Sequence, residues 1–140
     1  AATYRHASQK LHEATTEDLD RSTTEPLDRL RAFIATGFGA AFLTREYLRV
    51  RVDLWSAALA HPEIASTELA LYQRYRQRLA EVLADFGPAS AEHRAIVIDT
   101  IMATLDGLWL DYLRRGDQAA IRNGLKGCAI LAETLLKPQL

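Results

Sequence analysis

The stretch that decides the fold is TLDGLWLDYLRRG, residues 104–116. Leu105, Leu108 and Tyr112 fall three and four apart, the spacing of one helix face. Arg114 and Arg115 followed by Gly116 close such a helix, since cations suit its C-terminus and glycine suits the residue beyond it. Gly107 is the anomaly, because a glycine inside a helix costs about 1 kcal/mol relative to alanine. Extended back to Ala91, the helix is about 37 Å long at 1.5 Å per residue. It unrolls into three stripes. Met102, Asp106, Trp109 and Leu113 form one, and Ile98, Ile101, Leu105, Leu108 and Tyr112 form an apolar neighbour. The third, Thr100, Ala103, Thr104, Gly107 and Asp111, is small or polar and flat enough for another helix to approach closely.

The next helix, predicted from the Asp117 cap to Leu136, repeats small residues at Gly124, Gly127, Cys128 and Ala132, with Ile121, Leu125, Leu131 and Leu135 nearby. Two adjacent helices that are apolar around so much of their circumference exceed the needs of a single-chain core. The expectation is that they bury one side within the chain and another against a second copy, giving a four-helix interface with twofold symmetry. Ala103, Gly107, Asp111, Ile121, Gly124, Leu125, Cys128 and Leu131 are the expected interface residues. The competing reading is a glycine contact within the chain, or a tolerated defect.

Working outward toward the N-terminus, every segment keeps helical period and none alternates like a strand, so the chain reads as all-α with six helices. Residues 3–19 form a weakly amphipathic first helix. STTEP, residues 22–26, offers a Ser/Thr cap, an early glutamate and a first-turn proline, after which Leu27, Leu30, Ile34, Phe38 and Ala41 recur as a second helix. Gly37 and Gly39 predict irregular backbone or a close approach at its tail. Thr44 caps a third helix carrying Leu48, Val52, Trp55 and Leu59. Pro62 opens a fourth that runs to about Phe86, and GPAS, residues 87–90, ends it and caps the fifth.

Composition narrows the function. The 140 residues suit one domain, 49% are hydrophobic, and 17 basic against 18 acidic residues leave a formal charge of −1 with both signs interspersed. Such a balance gives no electrostatic footprint for nucleic acid. No apolar run approaches the roughly 20 residues of a membrane span, and the N-terminus lacks a signal-peptide layout, so a soluble, cytoplasmic protein is expected. The single cysteine, Cys128, excludes an internal disulfide and reads as a buried structural thiol. The four histidines lack the pairing of a metal-binding helix, and phosphate loops, nucleophile elbows and zinc-protease signatures are missing, so neither catalytic residues, metal nor cofactor is expected. Arg74, Arg76 and Arg78 read as a solvated face.

Four segments together, LDGLWL (residues 105–110), VDLWSAALAHPEI (52–64), YQRYRQRL (72–79) and the opening AATYRHA, resemble the C-terminal region of TetR-family transcriptional repressors, in particular the choline-sensing, betaine-pathway branch. The resemblance implies an effector-binding and dimerisation domain spanning residues 1–140, with the last two helices building the dimer interface. It also implies that the N-terminal helix-turn-helix domain of such proteins is absent from this chain, so operator DNA would be met only through that domain in a longer parent. A small organic effector, with a cation as one candidate, would then change the spacing of the DNA-reading heads of a homodimer.

Any effector pocket is expected to be enclosed by helices two to five, where Phe33, Phe38, Phe42, Trp55, Tyr75, Met102 and Trp109 supply the larger side chains; aromatics at helical spacing are also ordinary core. Asp106 shares a stripe with Met102 and Trp109, and a carboxylate with an aromatic wall suits a cationic or quaternary ammonium guest. The alternative for Asp106 is a pairing with an arginine or a tryptophan N–H. A helical-bundle enzyme and a stand-alone interaction module are the rival functions; the first lacks paired catalytic groups at usable spacing.

Overall fold

The computed structural model describes residues 25–136. Among them all regular structure is helical: α1 (Pro26–Ala35), a 3-10 turn (Thr36–Phe38), α2 (Arg45–Ala58), α3 (Pro62–Ala84), α4 (Ala91–Arg115) and α5 (Gln118–Leu135). These correspond to the second through sixth helices expected from sequence. The expected first helix, with His6 and His12, lies outside the described residues, as do the serine and threonines of STTEP.

Local chemistry explains most boundaries. Pro26 and Pro62 open α1 and α3, where a missing N–H leaves no bond unmade. Thr44 accepts from the Tyr47 N–H at 3.1 Å, Ser90 from His93 at 3.0 Å and Asp117 from Ala119 at 2.9 Å, so each satisfies a donor that the first helical turn cannot. The α1 start differs from expectation: Glu25 holds the cap position and makes no side-chain cap bond. Gly116 ends α4 in the left-handed region at φ +63° and returns its N–H to the Tyr112 carbonyl at 2.8 Å. The helix expected to reach Ala41 stops at Ala35 and tightens into the 3-10 turn over Gly37. The far end of α3 is closed from outside, because Arg94 of α4 donates Nη1 to the Leu83 carbonyl at 3.0 Å and Nη2 to that of Gly87.

The main core joins Leu30, Phe33 and Ile34 of α1, Leu79, Val82 and Leu83 of α3, Val97, Ile101, Met102 and Leu105 of α4, and Cys128 and Ala132 of α5. Burying each large aliphatic side chain stabilises the fold by about 1.5–3 kcal/mol. Helices α4 and α5 pack extensively on each other, α5 also covers α1, and α2 lies against α3 and α4. Gly124 makes the α4–α5 approach close: a Cβ there would sit 2.5 Å from Leu108 Cδ2. A smaller core of Phe42, Leu48 and Trp109, flanked by Phe38, Leu43, Tyr47, Trp55, Tyr112 and Leu113, fills the space between α2, the α1–α2 connection and the last turns of α4.

One side of the α4–α5 pair is left bare. Ile96, Thr100, Ala103, Gly107 and Leu110 run along α4 at helical spacing and are all exposed, as are Asn123, Gly127, Ile130 and Thr134 on α5. A Cβ at Gly107 or Gly127 would meet nothing within 4 Å. Of the expected interface residues, Ala103 and Gly107 are therefore open and Asp111 is half-buried, bound to Arg115 on its own helix. Ile121 and Cys128 are buried inside the chain, Gly124 faces Leu108, and Leu125 and Leu131 pack against the main core.

Candidate functional site

The smaller core is organised by Trp109. On a helix the indole N–H cannot be left buried without an acceptor, and here it donates to the Gly37 carbonyl at 2.9 Å. The 3-10 turn supplies that carbonyl, so the irregular backbone that Gly37 predicts has a definite partner. Phe38, the next residue, stacks on the Trp109 ring with centroids 5.1 Å apart and planes 21° from parallel. Phe42 is buried beside them and meets Tyr47 edge-on at 5.4 Å.

Into this aromatic group α2 inserts a charge. Arg51 is only 8% exposed. Its guanidinium carbon lies 3.9 Å from the Trp109 ring centroid, 5.3 Å from that of Trp55 and 5.8 Å from that of Tyr47, all within the reach of a cation–π contact. Nη1 donates to the Tyr47 hydroxyl at 3.2 Å, whereas Nε is buried without a hydrogen-bond partner among the described residues. Arg51 is not among the site residues expected from sequence. Its signal is local all the same: Tyr47, Arg51 and Trp55 are spaced four apart, which places both rings on the arginine's side of the helix.

Asp106 is half-buried on α4. Burial raises its carboxyl above the ordinary 3.8, with the Glu68 charge adding to the shift and the Arg51 charge opposing it. Among the described residues the ion pairs are Arg29 and Asp85, Arg31 and Asp28, Arg76 and Asp99, and Arg115 with Asp111 and Asp117; none includes Arg51 or Asp106. The tryptophan N–H is also taken, by Gly37.

The sequence-derived ligand residues thus divide between two places. Phe38, Phe42, Trp55 and Trp109 gather in the smaller core. Met102 is buried in the main core, and Tyr75 packs there against Phe33 at 4.8 Å. Burial, with Cys128 and Asp106 adding, pushes the Tyr75 phenol well above its ordinary value. The Cys128 thiol is likewise pushed up by burial, against a hydrogen bond with Thr104 that pulls it down. Beside the smaller core a groove of about 380 Å³ opens between the start of α2 and the end of α4. Leu43, Leu48, Tyr112 and Leu113 line it, and its charged rim is made by Arg45, Arg114 and Arg115.

An all-helical domain with a buried aromatic cluster on one side of a long penultimate helix and a bare small-residue face on the other fits a regulatory sensor. Residues 26–137 match the family described as BetI-type transcriptional repressor, C-terminal. The chain belongs to that family. The match takes in every described helix, and with it a regulatory role in effector binding and dimerisation. No curated protein and no solved structure matches the chain. No described helix is long and apolar enough to cross a membrane, and no group of three or more His, Cys, Asp or Glu among the described residues could hold a metal ion.

Proposed function

We propose that this BetI-type domain is the sensing half of a transcriptional repressor, in which a small organic effector bound around Trp109 changes how two copies of the chain meet. The observation that carries the reading is the double role open to α4. Its inner side holds Trp109 and Asp106 toward α2, while Ile96, Ala103, Gly107 and Leu110 are exposed on its outer side. A rigid helix that touches effector on one side and a twin subunit on the other converts a small displacement into a changed dimer geometry. The expected homodimer uses the bare faces of α4 and α5, with Gly107 and Gly127 permitting close approach.

The DNA-reading domain belongs to a longer parent chain in this reading, and operator affinity falls because the effector-bound dimer holds those heads at the wrong spacing. The coupling required is typically about 1–3 kcal/mol, and it arises only if the effector binds the two dimer geometries with different affinity. Phe38, Phe42, Trp55 and Trp109 would surround the effector, with Asp106 tuning the charge of the site and Tyr75 and Met102 supporting its floor from the main core. The chain performs no covalent step in this role, and the cytoplasm is where a repressor would meet both effector and operator. Native mass spectrometry of the protein purified from its host tests the reading: a dimer that retains a small molecule supports it, and a monomer with no bound molecule at any concentration overturns it.

A further inference from the structure

We infer that the effector carries a carboxylate, which Arg51 binds through a guanidinium whose buried Nε has no hydrogen-bond partner among the described residues; the inference rests on the sensor reading above. A buried guanidinium is normally paired with an acid or saturated with acceptors, because removing an ion from water is costly. Among the described residues Arg51 has neither. Ring faces surround it, one hydroxyl accepts from Nη1, and Nε is buried without a partner there. Arginine presents its donors in a planar fork that matches a carboxylate two bonds at a time.

The alternative, a cationic guest in the aromatic cluster, meets a direct obstacle. The place that would hold a cation is filled by the chain's own cation, 3.9 Å over Trp109. A second positive charge would be repelled there unless Arg51 left. The neighbouring groove has the same preference through Arg45 and Arg114; its third charged lining residue, Arg115, is already bound to Asp111 and Asp117. Leu48 stands one helical turn before Arg51, and Leu113 one turn after Trp109, so the apolar wall of the groove leads toward the guanidinium. An aryl or alkyl body would lie along that wall and against Trp55, with its carboxylate on Arg51. Asp106 is the internal competitor, since its charge already acts on the same site.

The test uses the full 140-residue chain and three probes of similar bulk or simple charge: benzoate, its neutral isostere benzamide, and tetramethylammonium, each titrated by calorimetry and by tryptophan fluorescence. Benzoate is expected to bind at least about tenfold more tightly than benzamide, and tetramethylammonium not to saturate. Arg51→Met should weaken benzoate at least about tenfold, and Asp106→Asn should tighten it by about threefold by removing the competing acid. If Arg51→Met does not fold, Arg51→Lys, which keeps the charge and loses the fork, should weaken benzoate while leaving benzamide unchanged. Equal binding of benzoate and benzamide, or benzoate affinity indifferent to Arg51, overturns the inference. Tighter binding of tetramethylammonium overturns it too and leaves the sensor reading standing. Binding of none of the three overturns the carboxylate inference; the sensor reading then falls with it only if native mass spectrometry of host-purified protein also shows no retained molecule.

Discussion

Gly107 gives the sharpest test of how two copies would meet, because the sign of the effect depends on what lies opposite it. In the single chain a Cβ at this position meets nothing within 4 Å, and the residue is exposed in the middle of α4. If that face were simply wet, Gly107→Ala would remove a helix penalty of about 1 kcal/mol and raise Tm by about 4 °C at every protein concentration. Against a twin helix the extra atoms must fit a close approach. For Gly107→Leu, overpacking costs about 1–3 kcal/mol per copy, and a twofold dimer carries two, so association should weaken by about 2–6 kcal/mol, from roughly 30-fold to more than 10⁴-fold. Sedimentation equilibrium measures this directly, with thermal melts across protein concentration as a second reading, since only an associating chain has a concentration-dependent Tm. A Gly107→Leu variant with an unchanged dissociation constant, or one stabilised to the same extent at all concentrations, would refute the interface argument.

Three further outcomes are expected. Trp109→Phe keeps the stacked ring and deletes the indole N–H, leaving the Gly37 carbonyl without its donor; chemical denaturation should show a loss of about 1–3 kcal/mol, and unchanged stability would mean the bond carries no weight. Burial makes the folded chain hold the Asp106 proton more tightly than the unfolded chain does, so the fold loses stability as pH rises from the ordinary 3.8 through the raised value, and the loss persists at neutral pH. Asp106→Asn should therefore raise Tm at pH 7 and lose that advantage below about pH 3.8, as followed by melts across pH; an advantage that grew in acid would contradict the direction of the shift. Arg94→Met removes two charge-assisted bonds to carbonyls at the end of α3, and hydrogen exchange in residues 79–87 should accelerate before that of α5.

Helix ends were the most legible part of this chain, for they depend on neighbours. Thr44, Ser90 and Asp117 cap as their side chains require, Pro26 and Pro62 sit at first turns, and Gly116 stops α4 with the backbone angle only glycine adopts freely. Which face turns inward was less legible. Gly107 and Gly124 carry the same local signal, yet Gly124 receives Leu108 while Gly107 stays open, because the distinction lies in how α4 and α5 rotate against each other. The candidate site was half legible for a similar reason. The stripe of Asp106 and Trp109 follows from period, and Tyr47, Arg51 and Trp55 are readable four apart. That Gly37 and Trp109, separated by 72 residues, share a hydrogen bond follows only from tertiary packing. An arginine between Val50 and Val52 resembles a solvated charge until the rings around it are seen.

The two tryptophans of this chain are wired differently, and that difference can be read spectroscopically. The Trp109 indole proton is sequestered on a carbonyl at the tail of α1, whereas Trp55 lines the cluster from a half-buried position on α2. An NMR spectrum should thus contain one slowly exchanging indole line that reports whether α1 and α4 remain latched and one that responds to occupancy of the neighbouring space. The chain carries its own pair of gauges, with no label to attach.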